Sequence, residues 1–415
     1  MKKRITTHSD VLVIGGGPAG MMAAAVASAR GKSVVVLEKN PGPGKKLLIT
    51  GGGRCNVTNN KPDIRTMLAM YRDVGKFLFS AFVQHSVTDT ITWFADRGVP
   101  FVEENDGRLF PKTNTAQTIY DTLTAEMKRT GVVVRTRATV AAIVPAESGF
   151  AVTLSTGEVL HTTSCVVATG GVSRPETGST GDGFRWLKDL GHTVVPNNYA
   201  LVPVLTTDPW VAALSGVTVT GIKITLYADS KKQQSQVGKI LFTHVGLSGP
   251  TILNMSKTIG DLLTHSAVTL KLNLRPDLDA GTLKQTLQTQ LQLSSNKKIR
   301  NVLSDLIPSA LVTPLLAIAG IDGELVTHGV RSVERARIAH LIGALPITVS
   351  GLQGADKAVI SSGGISPRDV NFKTMESRIM PGIYVVGDVL DINRPTGGYG
   401  LQLCWTTGFV AGSHC

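Results

Sequence analysis

Apolar residues along this chain fall into short continuous runs that are separated by glycine-rich turns. The first run, 11–14, leads into Gly15-Gly-Gly-Pro-Ala-Gly20, and after a stretch of small residues a second run, 34–37, ends at Glu38. Continuous apolar runs of this length are typical of strands buried on both faces. The order strand, glycine turn, helix, strand predicts a βαβ unit at the start of the chain.

Two further apolar runs end in glycines later in the chain, at 164–171 and 382–388. Ligands of doubly wound sheets bind outside the carboxyl ends of the strands. We therefore expect these two runs and the first one to be lined up in one sheet, with their glycine-rich ends at a shared binding edge.

The segments between these runs alternate between helical and strand periodicity. Residues 66–97 have apolar positions three and four apart, and 115–131 reads as a helix that ends at Gly131. A strand at 132–136 and an antiparallel meander over 139–154 follow.

The pattern changes between about 196 and 345. Short alternating segments over 199–274 predict strands, and 277–343 is largely helical. The simplest arrangement is a nucleotide-binding α/β domain, 1–195 and 346–415, that is interrupted by an inserted β-rich domain, 196–274, and a helical region, 275–345.

The spacing of the first glycine turn indicates a bound dinucleotide. Gly15 permits the tight turn, Gly17 lets the backbone approach a pyrophosphate, and Gly20 lets helix and strand pack closely. Glu38 stands where a carboxylate accepts a hydrogen bond from a ribose hydroxyl, and its charge disfavours a 2′-phosphate there. The alternative is a glycine-rich turn in an α/β domain without a ligand.

The end of the chain favours FAD over NAD as the tightly bound cofactor. Asp388 follows the third glycine-ended run, and Thr396-Gly-Gly-Tyr-Gly-Leu401 stands at the start of a last helix. Bare N–H groups and a positive helix end there suit the electron-rich edge of a flavin, which gains negative charge on reduction. An ordinary helix entry is the alternative.

Composition and charge narrow the class of protein. The chain has 415 residues, four cysteines without metal-ligand spacing, and no apolar run long enough to span a bilayer, so we expect a cytoplasmic protein without a metal site. The formal charge is +12, with a surplus of seven cations in 1–60 and of six in 211–345. The second surplus, with clusters at 297–300 and 331–337, suits a polyanion such as RNA or is simply a solvated basic surface.

The loop Gly51-Gly-Gly-Arg-Cys-Asn56 is the best candidate for the wall of an active site. Arg54 offers a fixed charge for a phosphate or a carbonyl, and Cys55 either donates a proton or packs beside the ring. His244, between a strand and a glycine-rich turn of the insert, is a candidate general acid, although a lone histidine is more often structural. Arg108 and Tyr399 are either substrate contacts or loop anchors.

Six motifs in order resemble a bacterial flavoprotein family of the two-dinucleotide type, the BaiN/RdsA (YhiN-like) type. The similarity runs nearly end to end and rests on Lys46-Leu-Leu-Ile-Thr-Gly-Gly-Gly-Arg-Cys-Asn56, Gly107-Arg-Leu-Phe-Pro111, Ala168-Thr-Gly-Gly171, Thr177-Gly-Ser-Thr-Gly-Asp-Gly183, Leu241-Phe-Thr-His-Val-Gly-Leu-Ser-Gly-Pro250 and Lys373-Thr-Met-Glu-Ser377.

The resemblance implies FAD and a Rossmann-like domain interrupted by a β-barrel-like plus helical insert. Members include aminoacetone oxidases, bile-acid reductases and ribosomal-RNA dihydrouridine synthases. Two positions depart from the family pattern: Asp388 stands where the family usually has Glu, and Gly400 where it commonly has Asn. The first change keeps the carboxylate, whereas the second removes a side-chain amide beside the flavin.

The expected activity is hydride transfer, with NAD(P)H as transient reductant, from reduced FAD to an activated C=C, with uridine in ribosomal RNA favoured as substrate. The alternatives are a small-molecule oxidase or reductase, acting on an aminoketone or an enone, and a flavin-carrying RNA-binding protein without enzymatic activity. Neither a membrane nor DNA is expected as a partner. The catalytic candidates are Arg54, Cys55 and His244.

The residues expected to contact the cofactor lie in the glycine turns, at the end of the second run, in the lysine-bearing loop and at the start of the last helix. They are Gly15, Gly17, Pro18, Ala19, Gly20, Glu38, Lys39, Lys46, Gly52, Gly53, Arg54, Cys55, Asn56, Thr169, Gly170, Gly387, Asp388, Gly397, Gly398, Tyr399, Gly400 and Leu401.

Overall fold

The chain contains two compact units, Met1–Tyr199 with Ala358–Cys415, and Ala200–Lys357. The computed structural model describes residues 8–354 and 360–415, and for 197–200 and 360–362 it describes the backbone alone. The basic residues Lys2, Lys3 and Arg4 lie outside the described residues. The second division falls later than the predicted 345/346, because the strand that follows residue 345 belongs to the insert's barrel.

The first unit begins with ten strands and seven helices of the described chain. The strands are β1 His8–Ile14, β2 Val34–Leu37, β3 Thr58–Asn59, β4 Phe101–Glu104, β5 Arg108–Pro111, β6 Val133–Arg135, β7 Val140–Ala146, β8 Gly149–Leu154, β9 Val159–Val167 and β10 Val194–Ala200. The helices are α1 Pro18–Ala29, α2 Lys45–Leu48, α3 Ile64–Ala69, α4 Gly75–Gln84, α5 Val87–Ala95, α6 Ala116–Thr130 and α7 Asp182–Asp189.

The second unit combines a barrel with helices. Its strands are β11 Val204–Thr206, β12 Thr218–Ala228, β13 Lys231–Thr243, β14 Gly246–Ser248, β15 Val268–Asn273 and β16 Leu345–Leu352. Its helices are α8 Pro209–Ala213, α9 Pro250–Leu263, α10 Ala280–Leu293, α11 Ile299–Ser304, α12 Val312–Ala319 and α13 Ser332–Gly343.

The chain then returns to the first unit. The remaining strands are β17 Ile360–Ile365, β18 Val370–Asn371, β19 Glu376–Ser377 and β20 Ile383–Val385, and the last helix is α14 Tyr399–His414. No helix within the described ranges is long and apolar enough to cross a membrane.

A mixed sheet forms the centre of the first unit. Strands β20, β9, β1, β2 and β6 are parallel neighbours in that order. The carboxyl ends of β1, β9 and β20 therefore meet at one edge, as the three glycine-ended runs predict. Strand β19 continues the sheet beyond β20, and the predicted meander, β7 and β8, pairs antiparallel with β9.

The second unit is built on a closed antiparallel barrel. Among the described residues the strand order is β11, β14, β13, β12, β15 and β16, and β16 pairs back with β11. Alternating apolar residues, such as Ile222, Ile224 and Leu226 of β12, point into its core. The predicted fold class, a Rossmann-like domain interrupted by a barrel-like and helical insert, is confirmed.

Two helical predictions differ in detail from the structure. Residues 66–97 form three helices instead of a continuous one, because the side chain of Ser86 and that of Asp89 start α5 with a capping box. The β-rich stretch 199–274 also contains α9, which buries Ile252, Met255 and Ile259 on one face. The helix at 115–131 is as predicted, with Gly131 left-handed at its end.

Candidate functional site

The first glycine turn combines tight packing with one open position. Gly15 has φ of +104°, and a Cβ there would lie 2.5 Å from the carbonyl oxygen of Ala168 in the strand beside it. A Cβ on Gly20 would lie 2.0 Å from the Gly15 carbonyl oxygen. At Gly17 a Cβ would meet no described atom within 4 Å. The backbone before Pro18, at the start of α1, is therefore open to a diphosphate.

Glu38 lies against this turn. Its Oε2 accepts a hydrogen bond from the Gly16 N–H (2.9 Å), and its Oε1 accepts from the backbone N–H and the side-chain amide of Asn40 (both 2.7 Å). Because a carboxylate oxygen accepts more than one hydrogen bond, Oε2 retains capacity for a hydroxyl. This geometry fits the expected ribose contact.

The two lysines predicted to contact the cofactor have different partners. Lys39 pairs with Asp182 at the start of α7 (3.0 Å). The Nζ of Lys46 donates to the Ser173 hydroxyl (2.7 Å) and lies 3.7 Å from Oδ2 of Asp388. Lys46 therefore lies at the same edge of the sheet as the end of β20.

A buried arginine that the sequence analysis did not single out accompanies Asp388. Arg394 is 5% exposed, its Nη2 donates to Oδ1 of Asp388, and its Nη1 donates to the carbonyl of Ile392 (2.7 Å). Burial alone raises the pKa of Asp388, but the charges of Arg394 and Lys46 outweigh it and lower that pKa below its usual range. Asp388 is thus ionised near neutral pH.

Two buried atoms in the segment that follows Asp388 in the chain lack partners among the described residues. They are Nε of Arg394 and Oδ1 of Asn393. Buried polar atoms are rarely left unpaired in native proteins, so they point to a ligand or to water. The signal that could have identified Arg394 in the sequence is its position as a lone charge in the short link between Asp391 and the glycines before α14.

The start of α14 contacts the loop 51–56 across more than 330 residues of sequence. Gly398 has φ of +100°, and a Cβ there would lie 2.3 Å from the carbonyl carbon of Thr58. In the amide orientation that satisfies its neighbours, Asn56 accepts from the Gly398 N–H (3.0 Å). The Asn59 amide donates to the Gly397 carbonyl (3.0 Å). The structure therefore brings together two segments that were predicted separately.

Within the loop, Cys55 and Arg54 already have partners. Cys55 is fully buried, and burial raises the pKa of its thiol to about 12, against a smaller lowering by a hydrogen bond to Thr50. The Arg54 guanidinium pairs with Glu104 and lies 4.1 Å from the ring centroid of Phe110. Burial favours the packing alternative for Cys55, because the thiol keeps its proton.

Gly170, Tyr399 and Arg108, three further candidates in the first unit, make contacts with residues of that unit. Gly170, directly after Thr169, has φ of +72°, and a Cβ there would lie 3.0 Å from the Ser179 hydroxyl. The Tyr399 carbonyl accepts from the Tyr71 hydroxyl (2.9 Å). Arg108 donates to the Asn105 carbonyl (3.1 Å), as a loop anchor does.

His244 belongs to the second unit. It stands with Val245 in the two-residue turn between β13 and β14, and its side chain is exposed. It is therefore accessible to solvent, unlike Cys55.

The basic clusters of the insert are partly paired within the unit. Lys298 and Arg300 share the carboxylate of Glu324, and Arg331 pairs with Glu334. Arg337 donates to the carbonyl of Ala319 at the end of α12. Some cations of the predicted positive surface are thus paired with carboxylates, and Arg337 binds a carbonyl at the end of a helix.

Comparisons with known proteins find a matching family and two similar proteins. The family described as "HI0933-like protein Rossmann domain" matches residues 9–414. "Ribosomal RNA dihydrouridine synthase" of Escherichia coli (strain K12) is 30% identical, over 97% of this chain and 96% of its own. "3-dehydro-bile acid delta(4,6)-reductase" of Clostridium scindens (strain ATCC 35704 / DSM 5676 / VPI 13733 / 19) is 27% identical, over 96% and 97%.

Solved structures share the fold at low identity. A flavocytochrome c3 fumarate reductase in its open conformation has a TM-score of 0.55 and 17% identity, covering 98% of this chain and 78% of its own. The 3-ketosteroid-delta4-(5alpha)-dehydrogenase of Rhodococcus jostii RHA1 has a TM-score of 0.53 and 15% identity, covering 100% and 98%. At these identities the likeness concerns the fold alone.

Proposed function

The chain belongs to the HI0933-like family, which confirms the predicted resemblance, and from this premise we propose that it is an FAD-dependent oxidoreductase acting on an activated C=C bond. One observation carries the proposal: a single sheet edge combines an open glycine turn, an ionised Asp388 and the glycine-rich start of α14. FAD, when bound, supplies the exchange of a hydride between NAD(P)H and the substrate.

The residues of this edge suit the separate parts of FAD. The N–H groups around Gly17 and the start of α1 would bind the diphosphate, and Glu38 a ribose hydroxyl. Asp388 would bind a hydroxyl of the ribityl chain, and the N-terminus of α14 would face the electron-rich edge of the ring system. The purified protein is expected to be yellow, and a colourless protein that FAD cannot reconstitute would refute the proposal.

The proton donor is proposed to be His244. Its exposure allows proton exchange with solvent, whereas the buried Cys55 thiol keeps its proton and Arg54 is paired with Glu104. His244→Gln is expected to lower turnover by about tenfold or more while flavin reduction by NAD(P)H is unchanged. Cys55→Ser is the comparison variant, and a loss confined to Cys55→Ser would reverse the assignment.

For the substrate we favour uridine in ribosomal RNA. The E. coli relative named for this reaction and the cationic surplus of the insert support this choice. The clusters 297–300 and 331–337 would hold phosphates while a flipped uracil reaches the site. A cytoplasmic location follows from this choice.

The test is mass analysis of ribosomal RNA from a deletion strain, which is expected to lose a dihydrouridine that the restored gene returns. A triple variant, Lys297→Ala, Lys298→Ala and Arg300→Ala, should return less of it, and the matched Lys284→Ala variant should match the wild type. Unchanged dihydrouridine in the deletion strain excludes the RNA version.

A small-molecule reductase or oxidase is the second candidate. The C. scindens relative is named for reducing a bile acid, and Glu324 and Glu334 reduce the positive charge that RNA would meet. This candidate predicts turnover of an enone or an aminoketone by the purified protein, with no salt-sensitive RNA binding.

A further inference from the structure

We infer that Arg394 and Gly400 are a matched pair through which a buried guanidinium makes reduction of the bound flavin more favourable. This inference rests on the proposed function, because it requires FAD at the edge that Asp388 and α14 form. It concerns a residue that acts on the cofactor's charge and takes no part in proton transfer.

The contacts of Arg394 involve two of its three guanidinium nitrogens. Its Nη1 and Nη2 donate to the Ile392 carbonyl and to Asp388, but Nε has no partner among the residues that the structure describes. The side chain is 2% exposed, so solvent does not satisfy this donor freely. A buried cation with an unpaired N–H is expected where a ligand completes its hydrogen bonds.

Gly400 provides the space for this guanidinium. A Cβ at residue 400 would lie 3.2 Å from Nε and 3.5 Å from Nη2 of Arg394. A side chain at this position therefore requires the guanidinium to shift by a few tenths of an ångström. Gly400 thus lies directly beside a buried cation.

Within the cluster of Arg394, Lys46 and Asp388, positive charge exceeds negative charge. Arg394 and Lys46 carry two positive charges, and Asp388 carries one negative charge between them. When NAD(P)H delivers a hydride, two electrons and one proton enter the cofactor, which leaves one additional negative charge on it. A buried net positive charge stabilises that state more than the oxidised one, because charges interact strongly away from water.

The test compares the binding of oxidised and reduced FAD in Arg394→Gln and in the wild type. In the neutral variant, the ratio of the affinity for reduced FAD to that for oxidised FAD should fall at least about tenfold. This change lowers the two-electron potential of the bound FAD by about 30 mV. Equilibration with reference dyes measures it. Arg394→Lys, which keeps the charge, should stay within about threefold of the wild type.

Arg97→Gln is the matched control, since it removes a positive charge from the same unit at the pair with Glu126. Its potential should equal that of the wild type. Equal shifts in Arg97→Gln and Arg394→Gln, or no shift in either, overturn the inference while leaving FAD binding, and so the proposed function, intact. Absence of FAD binding in the wild type defeats both.

A second measurement does not depend on the potential. Gly400→Asn should destabilise the FAD-free protein towards urea, and the additional change Arg394→Gly should restore most of the loss, because it removes the clash. Equal losses in the two backgrounds would show that the residues are not a pair and would overturn the inference even if Arg394→Gln folds poorly.

Discussion

The two units of the chain differ in what they bury. The first unit buries Glu38, Glu126 and Arg394, together with a network around Gln402. In the described part of the second unit the buried polar residues are hydroxyls, Thr251, Ser256 and Thr327, within an aliphatic core. Buried charge costs free energy unless it is paired, so its concentration in one unit indicates a binding role there.

The second unit keeps its charges outside. Its barrel core is filled mainly by Val, Ile and Leu together with Phe242, and the ion pair of Lys298 with Glu324 is about half exposed. Exposed pairs add little to stability, but they set the electrostatic field that a partner meets. The comparison therefore supports the proposal that the first unit binds the cofactor, and it leaves the proposed contact with RNA to the charged surface of the second unit.

We expect the largest loss of stability and of FAD binding from a substitution in the glycine turn of the first unit. Gly20→Ala places a methyl 2.0 Å from the Gly15 carbonyl oxygen, so the free energy of unfolding should fall by roughly 3 kcal/mol and FAD binding should be lost. Gly17→Ala meets open space and should leave the FAD-free stability within about 0.5 kcal/mol, yet weaken FAD by about tenfold or more. Urea unfolding and FAD titration measure both effects. Equal losses of stability in Gly17→Ala and Gly20→Ala would contradict the conclusion that the space beside Gly17 is open.

Acid sensitivity should also come from the first unit. Burial lowers the pKa of His85 from 6.5 to about 4, and its folded state therefore favours the neutral ring. The unfolded chain binds the proton first, so stability should fall as the pH drops from about 6.5 towards 4. His85→Phe, which keeps the ring stacked on Phe409, should remove this part of the profile, measured by unfolding at each pH.

Glu126 extends the same trend to lower pH. Hydrogen bonds from Arg129, opposed by burial and helped by Arg97, lower its pKa from 4.5 to about 2. Its contribution is present above pH 4.5 and is lost as the pH falls towards 2; we expect about 2 kcal/mol, since Arg129 is mostly exposed. Glu126→Gln should flatten this limb, and an unchanged profile would exclude Glu126 as its source.

We expect the smallest effect from a substitution in the second unit, which tests whether its cations bind RNA. Glu324→Gln frees Lys298 and Arg300 and should leave the free energy of unfolding nearly unchanged, because exposed ion pairs add little to stability. If RNA is the partner, its affinity at low salt should rise a few-fold and the salt dependence should steepen. Asp261→Asn, which breaks the surface pair with Lys257, is the control. Equal RNA affinity in all three proteins would favour the small-molecule candidate.

Much of the fold was predictable because local patterns specify it. The glycine-ended runs predicted β1, β9 and β20 as neighbours, and Gly131 predicted the end of α6. The three helices within 66–97 were predicted as one segment, since apolar periodicity continues across the cap at Ser86. Strand β16 was not predicted as part of the inserted β-rich domain, because its partners, β11 and β15, are distant in sequence.

The candidate site divides in the same way. By itself the sequence determined the glycine turn, the position of Glu38 and the separate segments 51–56 and 396–401, since spacing and residue type specify them. Only the tertiary structure decided that Asn56 meets Gly398, that Cys55 is buried, and that Arg394 occupies the space beside Gly400. Asn56 and Gly398 are far apart along the chain, and Arg394 meets Gly400 only because of how the link before α14 folds, so tertiary packing selects these contacts and no local pattern encodes them.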